Sequence, residues 1–158
     1  KYPIDFRFIG NGVCRDGLIE LVKSKELKNI FFHGTMNRND LIKWIKKASV
    51  CIVPLLNHSL FQSALPSKMF EYMACGRPLI VGIKGEAESL INDSGSGIVV
   101  EPENPILLSK AILNYYNNSE KCINDGQNGM TFITKKLIKE NLISSLMNKV
   151  QLIANKQY

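Results

Sequence analysis

No apolar stretch in this sequence approaches the roughly 20 residues that a helix needs to cross a membrane. The opening residues, Lys1-Tyr2-Pro3-Ile4-Asp5-Phe6, do not read as a secretion signal, because their apolar run is short and is interrupted by Asp5 and Arg7. Cysteine is scarce. Cys14, Cys51, Cys75 and Cys122 stand at neither metal-ligand nor redox spacing, and three of them lie in apolar runs, where a thiol behaves as a small hydrophobe. A disulfide framework is therefore not expected, and a reducing, cytoplasmic setting fits. Histidine is scarcer still. His33 and His58 lack ligand spacing and no Asp-x-Asp occurs, so no metal is expected. Internal repeats and low-complexity linkers are absent. The formal charge of +6 suits an anionic partner such as a nucleotide or a membrane surface. It does not point to nucleic acid, because the basic residues are dispersed and aromatics do not interleave with them. Lys43, Lys46 and Lys47 share one helix face by spacing and read as a solvated surface.

What is present fits one globular domain over residues 1–158, long enough to bury a real core. With no Met at position 1 and a strand-like run almost at once, the chain is expected to be part of a larger protein. Short β-rich runs alternate with helical stretches. Strands are expected at 4–9, 29–33, 50–54, 78–83 and 97–100, and helices at 15–26, 38–48, 66–75, 86–92, 105–117 and 134–154. The run 50–53 is apolar on both faces, which argues for a parallel sheet covered on both sides. The fold class implied is α/β, a Rossmann-like doubly wound parallel sheet, with the five strands sharing one sheet. Asn37 can cap the second helix; Pro66 suits the start of the third, and Gly76 followed by Pro78 suits its end. The last helix, with Leu137, Ile138, Leu142, Ile143, Leu146, Val150 and Ile153 as its apolar positions, must pack on this domain or on another.

In doubly wound folds ligands bind beyond the carboxyl ends of the strands. There, residues 63–88 carry the most chemistry. A loop runs from strand 50–54 into a helix that begins near Pro66, and the backbone amides of a helix start, with the dipole behind them, attract anions. Lys68 adds positive charge. Ser67 and Glu71 lie four residues apart on one helix face, about 6 Å along the axis. A phosphate at the helix start and a ribose diol on the Glu71 carboxylate would fit that separation. The plain alternative is an ordinary helix start with a surface glutamate.

This stretch resembles the donor-site signature of retaining, family-4-like glycosyltransferases of the GT-B fold. Their helix carries Glu-x-Met-Ala-x-Gly-x-Pro followed by hydrophobics, here Glu71-Tyr72-Met73-Ala74-Cys75-Gly76-Arg77-Pro78-Leu79-Ile80. Further markers follow the same order: Phe8-Ile9-Gly10-Asn11-Gly12, Ile30-Phe31-Phe32-His33-Gly34, the unit from Leu41 to Pro54, and Gly85-Glu86-Ala87-Glu88. The resemblance spans roughly residues 4–117. It implies the C-terminal, donor-binding half of such an enzyme. Glu71 would bind the ribose, and the backbone from Leu65 through Pro66 and Ser67 to Lys68 would hold the pyrophosphate. The backbone at Phe31 and Phe32 would meet the base, and Gly10, Asn11 and Gly12 would border the site. The substrate implied is a nucleotide-sugar, with UDP as the nucleotide, used for transfer to a glycan or a lipid-linked acceptor in polysaccharide biosynthesis. No cofactor is implied. An N-terminal acceptor domain outside this chain is the implied partner, and peripheral association at the cytoplasmic membrane face is compatible.

Two departures stand out. The family often has a second acidic residue eight positions before the helix glutamate, where Ser63 stands here, so no catalytic residue is assigned. The family's Arg/Lys pair that neutralises the pyrophosphate falls before the stretch matching residue 4, so this chain alone is expected to transfer no sugar. A dinucleotide oxidoreductase is disfavoured, because Gly10-Asn11-Gly12 lacks the third glycine of the fingerprint. A nucleotide-sugar epimerase with the same fold, and a nucleotide-binding module without transfer activity, remain as alternatives.

Overall fold

The computed structural model describes residues 2–61, 63–136, 143, 146, 147 and 151. Its contacts divide into two compact units, Lys1–Lys43 and Trp44–Tyr158.

In the first unit, β1 (Phe6–Ile9) and β2 (Ile30–His33) flank helix α1 (Arg15–Ser24). The strands pair in parallel, with Phe8 opposite Phe32 and Ile9 opposite His33. Alternation along each strand separates two aromatic contacts. Phe8 and Phe32 stack at 5.1 Å, and on the opposite face the Arg7 guanidinium lies 4.6 Å from the Phe31 ring centre. At the entry to the strands, the Asn29 side chain donates to the Ile4 carbonyl at 2.7 Å. Helix α2 (Arg38–Lys47) starts in this unit and ends in the second, and it begins at the expected cap, the Asn37 side-chain oxygen accepting from the Asp40 N–H at 3.0 Å.

The second unit holds β3 (Cys51–Pro54), α3 (Ser67–Ala74), β4 (Leu79–Gly82), α4 (Glu86–Ser94), β5 (Gly97–Val100), α5 (Pro105–Asn117) and α6 (Ser119–Lys136), with a short 3-10 turn at Ser59–Phe61. Its strands run in the order β3-β4-β5, all parallel. Every residue of β4 is buried, because helices cover both faces. Leu79 and Val81 point into a cluster with Val53, Met69 and Met73 of α3, and Ala87 and Ile91 of α4. Ile80 points the other way, to Val100 and to Ala111 and Tyr115 of α5. The α/β class and the parallel pairing are as the sequence implies.

Ladder bonds join β1 to β2 within the first unit and β3 to β4 to β5 within the second, all in parallel.

One difference is α6, which covers 119–133, where no helix is expected from the sequence; Gly126, Gly129 and several Asn and Asp residues there are weak helix formers. Tertiary packing overrides that preference. A Cβ on Gly126 would lie 2.4 Å from the Gly76 carbonyl oxygen, and one on Gly129 would lie 3.0 Å from the Ser96 Cβ. Only bare backbone lets α6 come this close to the end of α3 and the start of β5. The helix expected over 134–154 overlaps α6 at its first three residues, 134–136, and otherwise lies mostly outside the described residues.

Candidate functional site

The carboxyl ends of β3, β4 and β5 open onto the segment from Leu55 to Pro66, the start of α3, and the turns after β4 and β5. Helix α3 begins at Ser67 directly after Pro66, which sits at the cap position with φ −58° and ψ 122° and offers no capping side chain. The first amides of a helix lack partners within it, so an anion is their natural acceptor. Ser67 and Lys68 are exposed on this first turn, and Glu71 is exposed one turn later. Met69 and Met73, on the opposite side of the helix, are fully buried under β3 and β4. This division anchors the helix while leaving the Ser67–Glu71 face outward.

The far end of α3 is held as firmly. Gly76 takes φ +67°, its N–H donates to the Met73 carbonyl at 2.9 Å, and the Arg77 N–H donates to the Tyr72 carbonyl at 3.0 Å. This paired closure ends a helix in a left-handed residue, and glycine adopts that conformation without a Cβ penalty. The Arg77 guanidinium then reaches back to the Ala48 carbonyl at 3.1 Å, tying the end of α3 to the chain entering β3. The Tyr72 phenol is pushed above its ordinary value, first by burial and then by the neighbouring Cys51 and Glu71.

The expected residues fall into two groups. Leu65, Pro66, Ser67, Lys68 and Glu71 lie together on the second unit, and Ser63 is an exposed turn residue before them. On the first unit, Gly10 takes φ +125° and its N–H is shared between the His33 and Gly34 carbonyls, each at 3.3 Å. The turns after β1 and β2 therefore meet. Asn11 and Gly12 are exposed beside them, and a Cβ on Gly12 would meet nothing within 4 Å. Phe31 is exposed under Arg7, while Phe32 is committed to its stack with Phe8.

Other rim groups were not singled out by spacing. The Lys84 ammonium pairs with Glu101 at 2.8 Å, which raises the lysine's pKa, chiefly through that hydrogen bond. The Glu103 carboxylate accepts from the Asn57 N–H at 3.0 Å, joining the turn after β5 to the chain leaving β3. These partners are 17 and 46 residues apart in sequence, so no local pattern announces them. Two surface clefts, of about 370 and 210 Å³, lie on the α5 side of the sheet, and neither is lined by Ser67, Lys68 or Glu71. Among the described residues no group of three or more His, Cys, Asp or Glu side chains could hold a metal ion, and no helix is long and apolar enough to cross a membrane.

Residues 1–132 match the family described as glycosyl transferases group 1. The chain belongs to that family. A relative, the uncharacterised glycosyltransferase MJ1178 of Methanocaldococcus jannaschii, is 29% identical over 134 residues, which is 84% of this chain and 37% of the relative. Sucrose-phosphate synthase from Thermosynechococcus elongatus superimposes with a TM-score of 0.74 at 23% identity, over 94% of this chain and 38% of its own. Anabaena HepE, solved in complex with UDP-glucose, superimposes with a TM-score of 0.76 at 15% identity, over 95% and 42%. The C-terminal domain of a group 1 glycosyl transferase, LpcC from Francisella tularensis, gives 0.64 at 23% identity, over 77% and 61%. The fold is thus that of the C-terminal-type domain of GT-B glycosyltransferases. The chain spans about two fifths of the length of MJ1178, the synthase and HepE.

Proposed function

We propose that this chain is the donor-binding domain of a retaining glycosyltransferase that uses a UDP-sugar. In this reading the phosphates sit against the amides at Ser67 and Lys68, and the Glu71 carboxylate accepts from the ribose hydroxyls one turn further on. As the sugar–phosphate bond breaks, negative charge grows on the leaving phosphate. In this reading the helix start, with Lys68 on its first turn, faces that charge before the bond breaks, which is how fixed dipoles lower a barrier. The acceptor, a glycan or a lipid-linked saccharide, would be held by a second domain outside this chain. The setting proposed is polysaccharide assembly in the cytoplasm, at the membrane face.

The observation that carries the reading is α3 itself. It is buried through Met69 and Met73, lacks a capping side chain at Pro66, and presents Ser67, Lys68 and Glu71 on its exposed side. Family membership and HepE's complex with UDP-glucose support the choice of ligand.

The test is Glu71→Gln in the full-length protein, titrated calorimetrically with UDP and UDP-sugars. Hydrogen bonds to charged groups contribute about 1.5–3 kcal/mol. At about 1.4 kcal/mol per decade, affinity should fall tenfold or more. The melting temperature without ligand should stay put, because the side chain is exposed. Unchanged affinity with unchanged stability would make Glu71 an ordinary surface residue and remove the main support for the reading. NAD, tested alongside, should not bind.

A further inference from the structure

Glu103 has no part in the contacts just assigned, yet it holds an uncommon conformation. Its φ is +57°, in the left-handed region that residues other than glycine enter at a cost. From the turn between β5 and α5 its carboxylate reaches across the edge of the sheet to the Asn57 N–H at 3.0 Å. Two residues earlier in the chain leaving β3, the Leu55 N–H donates to the Gly82 carbonyl at 3.1 Å. Glu103 thus takes up a backbone donor just beyond the last strand-to-strand bond, on the segment that leads to Pro66 and α3. The neighbouring Glu101 is paired with Lys84 at 2.8 Å and is engaged elsewhere.

We propose that Glu103 is a positioning residue for the nucleotide site. By holding Asn57, it sets the path of the chain into the start of α3. Its backbone keeps a conformation better suited to glycine because the side chain is used. The inference rests on the donor-site reading above.

The left-handed φ makes the test sharp. Glu103→Gly deletes the carboxylate and also relieves the backbone, so the fold should lose nothing. Glu103→Gln keeps an acceptor oxygen and should rescue part of the effect. In the full-length protein, three measurements are compared for wild type and both variants: amide exchange in peptides covering Asn57, UDP affinity by calorimetry, and melting temperature. For Glu103→Gly we expect faster exchange at Asn57, UDP affinity weaker by about fivefold, as one exposed hydrogen bond would give, and no drop in melting temperature. Glu103→Gln should fall between. If wild type binds UDP and Glu103→Gly binds it equally well, the positioning role is overturned, as it is if exchange at Asn57 does not change. If wild type fails to bind UDP, the donor-site reading falls and takes this inference with it.

Discussion

The contact between α6 and the end of α3 makes Gly126→Ala a demanding test of the packing that sets the donor helix in place. An added Cβ would lie 2.4 Å from the Gly76 carbonyl oxygen, 3.1 Å from its carbon and 3.2 Å from the Pro78 Cδ. The obstacle is backbone, and it cannot swing aside, because Gly76 closes α3 through its bond to Met73. Relief therefore requires α6 to shift outward and loosen the packing of Phe132 and Ile133 on the core. Overpacking costs about 1–3 kcal/mol in general, about 2–3 kcal/mol where the obstacle is fixed backbone, and alanine's better helix propensity returns about 1 kcal/mol. The net loss should be about 1–2 kcal/mol, a fall in Tm of roughly 3–6 °C for a domain of this size. Gly17→Ala is the control. It sits in α1, and an added Cβ there meets nothing within 4 Å, so the same exchange should be neutral or stabilising. Gly129→Ala should cost less than Gly126→Ala, since its nearest obstacles are the side chains of Ser96 and Met73 at 3.0–3.3 Å. Thermal unfolding followed by circular dichroism measures all three. A Gly126→Ala protein as stable as wild type would refute the argument that this glycine is present for close approach.

Two further outcomes are expected. Burial pushes the Cys51 thiol from 9.0 up to about 12, with Arg77 opposing, and burial with the hydrogen bond to Asp125 raises the Tyr115 phenol in the same direction. Both groups are held neutral in the fold, so their stabilisation is complete below pH 9 and is lost as pH climbs toward about 12. Urea midpoints should be level near neutrality and fall above pH 9, less steeply in Cys51→Ala; a profile level to pH 12 would contradict this. Tyr115→Phe removes a 2.6 Å hydrogen bond to the buried Asp125 carboxylate, leaving it the Lys121 ammonium at 2.7 Å. A loss of about 1–2 kcal/mol should appear in urea unfolding, and no loss would mean that Lys121 alone satisfies Asp125.

Much of the architecture is legible in the residues because it depends on local periodicity. Cys51 to Pro54 and Leu79 to Gly82 read as buried parallel strands since apolar side chains on both faces leave no solvated side. The closure of α3 at Gly76, the Asn37 cap, and the exposed Ser67–Glu71 face follow from short-range stereochemistry and a helical repeat of 3.6 residues. The family resemblance carried by Glu71 through Ile80 rests on the same local pattern.

Two features were decided only by tertiary structure. Helix α6 forms against the propensity of Gly126 and Gly129, because burying its Phe132 and Ile133 against the core outweighs the cost of two glycines and the bare backbone admits the contact. The bond from Glu103 to Asn57 joins residues 46 apart, and it exists because parallel strands bring their carboxyl-end turns to one edge. Local sequence sets which residues can be strand, helix or cap. Which of them meet is set by the packing of those elements, whose energy comes from surfaces distant in the chain.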